Sequence, residues 1–203
     1  MAAKAESVAN DVASRARGLL IYLNRLERLH DERRLYDVDL HRAYAGAWIS
    51  FTAFCEQSIE RLFLGLLTGA LEISRAAVSP RTVVRSPVVA RDIVYAGRPY
   101  VDWLPYERTI ERAEAFLLHG RPFTELSNDE EAKLAGLGVL RNALAHESRY
   151  AVGRFEKRFV VGRKLPPYQK KPAGYLRGMH DKKRTRFEYE STEVAQVFLT
   201  LSR

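Results

Sequence analysis

Arg141, Asn142 and His146 are the residues of this 203-residue chain whose types and spacing best suit chemistry. Cleaving an RNA strand needs a base to take the ribose 2′-hydroxyl proton and an acid to return one to the leaving 5′-oxygen. An imidazole, titrating near about 6.5, serves either role. A guanidinium with its fork of donors stabilises the charge that grows on the phosphorane, and a nearby amide orients the imidazole or the phosphate. Spacing alone does not single these residues out. Arg25 and His30 repeat it, and Arg34 with His41 and Arg112 with His119 repeat it with six intervening residues. The helix that carries the first set is what distinguishes it.

That helix opens at Ser127 with Glu130 three residues on, a capping-box signature, and the pattern runs to about Arg149. On a helical wheel Leu134, Leu137, Leu140 and Leu144 define an apolar arc, and Arg141 falls inside it. A guanidinium stripped of water costs several kcal/mol unless it is paired, so Arg141 calls for an acidic partner or an anionic ligand. Asn142 and His146, four apart, lie one above the other on the adjoining face. Glu56 poses the same problem within the apolar stripe of an earlier helix, so the economical expectation is that Glu56 and Arg141 meet. An ion pair of purely architectural use is the alternative for those two, and a histidine bonded to backbone is the alternative for His146. Gly136 and Gly138 weaken the helix and are expected to allow a neighbouring helix to approach closely.

The elements around this helix are mostly helical. Val8, Val12, Ala16, Leu19, Leu20, Leu23 and Leu26 mark one face of a helix over about 5–30. Trp48, Phe51, Thr52, Cys55, Ile59, Leu62, Phe63 and Leu66 do the same for a second helix over about 38–71. Residues 76–104, punctuated by Pro80, Pro87 and Pro99, read either as short β-strands in VVRSPVVARDIVY or as a helix starting at Pro87 under a Ser86 cap. A further helix is expected from Pro105, at its first position, to Gly120. After Tyr150 comes a basic extension with a strand-like FVVGRKL and a short last helix over about 192–201. The fold class is therefore mainly all-α: a single domain of 1–203, with a helical core over 1–150 and the extension over 151–203.

Charge sharpens this division. Residues 1–150 carry 20 Lys and Arg against 20 Asp and Glu, whereas 151–190 carry 12 against 4, so the whole net charge of +8 lies in one stretch. Lys157, Arg158, Lys170, Lys171 and Arg177 are its candidate RNA contacts; a solvated basic loop is the plainer alternative. Tyr150, Phe155, Tyr168 and Tyr175, interleaved with it, are either stacking platforms for bases or packing residues. Charged residues interrupt every apolar run well short of the roughly 18 residues of a membrane span. The start has no export-signal pattern, and a single cysteine, Cys55, excludes an intrachain disulfide. The histidines show no metal-ligand spacing, so neither metal nor cofactor is implied, and a cytoplasmic location is expected.

RNALAH, placed on a late helix, resembles the signature of HEPN domains, and the chain is similar to the RiboL-PSP-HEPN group. The matching stretches are 48–62, 100–126, 140–155 and 171–190. The resemblance implies an antiparallel helical bundle that forms a homodimer, with two arginine–histidine motifs facing each other across a shared cleft. It implies a metal-independent endoribonuclease that leaves a cyclic phosphate and a 5′-hydroxyl, in bacterial or antiviral defence or as a toxin restrained by an antitoxin or defence partner. Arg141, Asn142 and His146 match the motif and Glu56 an acidic position. HEPN toxins silenced by nucleotidyltransferase antitoxins carry a tyrosine two residues after the histidine, where this chain has Ser148. A non-catalytic HEPN module that binds RNA or a protein is the alternative function.

Overall fold

The computed structural model of the chain describes residues 2–73, 78–146 and 148–203, so residues 76 and 77 of the expected insertion lie outside it. The described residues are mainly helical, with eight α-helices: α1 (Glu6–Asp31), α2 (Asp37–Thr68), α3 (Pro87–Tyr95), α4 (Glu107–Phe116), α5 (Asn128–Ala145), α6 (Arg149–Phe155), α7 (Pro172–Arg177) and α8 (Arg186–Leu201). Two short strands, β1 (Ala3–Lys4) and β2 (Leu71–Glu72), pair in parallel with Ala3 opposite Leu71. No described helix is long and apolar enough to cross a membrane.

Contacts divide the chain into two compact units that interleave along the sequence. The first comprises Met1–Val12, Phe54–Ala135 and Val194–Arg203, the second Ala13–Ala53 and Gly136–Glu193. In the first, Phe63 is the hub of an aromatic core, with the rings of Trp103, Phe116 and Phe123 at 5.1, 6.2 and 5.5 Å. Gly69 ends α2 at φ +71°, a left-handed conformation that favours glycine, and so frees the chain to form β2. Of the two readings left open for 76–104, the helical one holds from Pro87 on. Proline occupies the first turn of α3 and Ser86 Oγ accepts from the Val89 amide at 3.4 Å. Ahead of it, Pro80 bridges antiparallel to Leu117. The helix expected from Pro105 starts two residues later, at Glu107, because Tyr106 is its cap residue; a short 3₁₀ turn then carries the chain on to Gly120.

The second unit has its own aromatic centre. Trp48 packs against Phe51 and Phe187 at 5.8 and 5.7 Å, and Phe155, Phe159 and Tyr175 form a second cluster with centroids 5.1–5.8 Å apart. These contacts change the reading of the basic stretch. FVVGRKL is no strand: residues Glu156–Val160 continue α6 as one π-helical turn, which seats Phe159 in the core. The last helix begins at Arg186 rather than near 192, because Phe187 and Ser191 belong to its buried face. Phe155 and Tyr175 are packing residues, whereas Tyr150 and Tyr168 are exposed.

Candidate active site

The helix that carries the motif is fixed at its start and again at its middle. At its start the capping box forms as read: the Ser127 amide donates to Glu130 Oε2 at 2.9 Å, and the Glu130 amide donates back to Ser127 Oγ at 3.4 Å. Further along, within the second unit, Trp48 Nε1 donates to the Leu137 carbonyl at 3.4 Å. A Cβ on Gly136 would come within 3.2 Å of the Arg158 side chain, so this glycine does allow a close approach. Gly138 faces open space, and the same expectation fails there. Leu137, Val139, Leu140 and Ala143 are buried and anchor the rod, while its last turn points functional groups outward.

α5 ends at Ala145, short of the expected Arg149. The His146 amide still donates to the Asn142 carbonyl at 2.9 Å, and Ser148, in an extended conformation, starts α6 by accepting from the Ala151 amide at 3.2 Å. Asn142 from α5, His146 just past its end, Ser148 ahead of α6, and Tyr150 and Arg154 from α6 line a hollow of about 260 Å³. Asn142 and His146 are exposed, so the imidazole is open to a ligand. Arg141 is half-buried at the edge of the apolar arc, and its Nη1 donates to Asn142 Oδ1 at 2.8 Å. That bond turns the asparagine carbonyl towards the guanidinium and leaves the amide NH₂ as a donor.

Arg154 was not singled out in the sequence. Its guanidinium lies 5.9 Å from the Tyr150 ring centre, one helical turn away on α6. The signal was Ser148: read only as the position of an absent tyrosine, it is also a helix cap, and a cap there puts Tyr150 and Arg154 beside His146. In the sequence Tyr150 stands as one aromatic among basic residues and as the tyrosine nearest to His146.

Lys157, Arg158, Lys170 and Lys171 are exposed, with Arg158 lying over the Phe159 ring at 5.7 Å. Arg177 departs from the expectation of a phosphate contact, because carboxylates of its own unit hold it. Its Nε and Nη2 donate to the two oxygens of Glu27 at 3.1 and 3.2 Å, and Nη1 donates to Asp37 at 2.7 Å. That hydrogen bond holds the Asp37 carboxyl below its usual range. Glu56 is half-buried and belongs to the first unit, whereas Arg141, Asn142 and His146 belong to the second. Burial, with the charge of Glu56 adding to it, pushes the neighbouring Cys55 thiol well up, so Cys55 is an inert core residue.

Comparison of the chain with protein-family models, with curated proteins and with solved structures finds no match.

Proposed function

We propose that the chain is a metal-independent endoribonuclease of HEPN type, cutting RNA by attack of a ribose 2′-oxygen on the adjacent phosphorus. The 2′-O–P bond forms as the P–O5′ bond breaks, a base accepts the 2′ proton, and an acid protonates the departing 5′-oxygen. The products are a cyclic phosphate and a 5′-hydroxyl, and no step calls for a metal. His146 takes one of the two proton-transfer roles and the His146 of a second copy the other, in a composite site formed by a homodimer. Arg141, oriented by Asn142, meets the charge on the phosphorane. Tyr150 offers a face to a flanking base and Arg154 a fork to the next phosphate. Glu56 joins this assignment through its place in an apolar stripe and through the resemblance.

The observation that carries the reading is an exposed imidazole at a helix end, sharing an open hollow with the Asn142 amide and the Arg154 guanidinium, with Arg141 hydrogen-bonded to that same asparagine. Lys157, Lys170 and Lys171 extend the cationic surface for the strand, so affinity should fall steeply with added salt. A cytoplasmic role in bacterial defence, or as a toxin held in check by a partner protein, suits such an activity. The test is a gel of purified wild type and His146→Ala with total RNA and excess chelator. Cleavage by the wild type that persists in chelator and disappears in the variant supports the reading. Equal cleavage by both removes His146 from the mechanism, and RNA binding without any product makes the chain a binding module.

A further inference from the structure

A second hollow, in the first unit, carries charge that its own side chains do not neutralise. It occupies about 640 Å³, within the range of small-molecule sites, and is lined by Arg98, Arg108, Arg112, Asp102, Glu111 and Tyr100 among others. Three guanidinium groups thus face two carboxylates. Arg108 is paired with Glu111 at 3.1 Å. Arg112 is held in place by main chain and ring: its Nη1 donates to the carbonyls of Asp102 and Arg108, and its Cζ lies over the Trp103 ring, 5.0 Å from the ring centre. Among the described residues those bonds use Nη1 alone, which leaves Nε and Nη2 to donate to a ligand. Burial, together with the charges of Arg98 and Arg108, disfavours the Arg112 cation against the pull of Asp102. Arg98 is exposed on the same wall, and Tyr100 presents a ring that is 69% exposed.

Like charges gathered around a fixed guanidinium are relieved by an anion with several acceptor oxygens, and a planar group suits an exposed aromatic face beside them. A phosphate alone would leave Tyr100 without a partner, and a flat uncharged molecule would leave the arginines without one. We propose that this hollow binds a nucleoside phosphate, with the phosphate on Arg98, Arg108 and Arg112 and the base against Tyr100. A free nucleotide and one nucleotide of a single strand share this chemistry. The inference does not depend on the nuclease reading, since neither His146 nor any proton transfer enters it.

The experiment titrates the full chain with adenosine 5′-monophosphate, adenosine and a short oligoadenylate, the last on His146→Ala protein so that no cleavage intervenes. Heat of binding and the fluorescence of Trp103, which lies under Arg112, report occupancy. Saturable binding of the monophosphate, absent for adenosine, is expected. Arg98→Gln should weaken it by about tenfold, since hydrogen bonds to charged groups contribute that much. Tyr100→Ala should weaken it severalfold, and both side chains are exposed, so the melting temperature should not move. Oligoadenylate binding that falls with the same two substitutions identifies a strand as the source of the nucleotide; monophosphate binding alone identifies a free nucleotide. The proposal is overturned if neither probe saturates, or if binding is indifferent to both substitutions.

Discussion

Two stretches of the second unit carry arginine, four residues and histidine, and the structure treats them oppositely. At Arg25 to His30 the imidazole is consumed by its surroundings: Nε2 lies 3.0 Å from Asp37 Oδ1 and Nδ1 lies 3.4 Å from Arg177 Nη2, with a quarter of the side chain exposed. Tyr44 donates to Glu27 on the other side of the same arginine, at 3.0 Å, so the cluster closes on itself. At Arg141 to His146 the arginine donates to the adjacent Asn142, its one hydrogen-bond partner among the described residues, and the imidazole stands exposed in a hollow. A proton shuttle must present a ring nitrogen to its substrate, while a strut must not. The residue types are the same, and the difference lies in what each set of neighbours leaves unengaged.

The sharpest way to break this comparison is to remove each imidazole in turn. His146→Ala should lower RNA cleavage by at least about a hundredfold. His30→Ala should leave the rate per folded molecule nearly unchanged. The measurement is single-turnover cleavage with chelator present, at protein concentrations corrected for the folded fraction. A large loss in the His30 variant would mean that the enclosed cluster, and not the open one, handles protons.

The arginines reverse the order. Arg177→Met deprives Glu27 and Asp37 of their cation and leaves Glu27 partly buried, which should cost on the order of 2 kcal/mol in urea unfolding. Arg141→Met should cost less than about 1 kcal/mol, since its side chain is half-exposed and its described partner is a surface amide. Cleavage should fall only in the second variant. Equal stability losses would show that Arg141 is also architectural.

How much of this was legible in advance follows the range of the interactions involved. Local signals held: the Ser127–Glu130 box, the Ser86 cap with Pro87, and the buried stripes of α1 and α2 all depend on neighbours within a turn or two. What failed depended on distant partners. Phe159 and Val160 are drawn into a helical turn because Phe155 and Tyr175 complete the cluster around Phe159, and β-branched propensity yields to that packing. Arg177 looked like one basic residue among many, since Glu27 and Asp37 lie 150 and 140 residues away in sequence. Arg154 is hidden for the opposite reason: its signal is a short local cap at Ser148, just ahead of the stretch whose charge draws attention.

Aromatic rings give a gentler test. Tyr150 is 75% exposed on the wall of the hollow and Tyr36 is 80% exposed next to Asp37. If Tyr150 stacks a base, Tyr150→Ala should weaken binding of a single-stranded oligoribonucleotide by roughly fivefold, at about 1 kcal/mol for one stacked base. Tyr36→Ala should leave binding as it was. The two variants, measured by anisotropy on a His146→Ala background, separate stacking from a general loss of aromatic surface. Equal behaviour would remove Tyr150 from the site.

The smallest effect belongs to His41, at the margin of the enclosed cluster. Its Nε2 is buried with no hydrogen-bond partner among the described residues. Burial, followed by the charge of Arg177 and, more weakly, Lys171, lowers its pKa below 6.5, against the opposing pull of Asp37 and Glu27. The folded protein therefore binds fewer protons than the unfolded chain just below pH 6.5, and stability falls with acidification from there until the folded-state value is passed. Asp37, whose pKa lies below 3.8 in the folded state, adds a separate loss only under strongly acidic conditions. The ring is only partly withdrawn from water, so screening keeps the first loss small. His41→Gln should flatten the melting temperature between neutral pH and about pH 5, while leaving the strongly acidic decline in place. A wild-type profile already flat over that interval would show that the cluster tolerates a second cation beside Arg177, and that its closure rests on packing more than on charge.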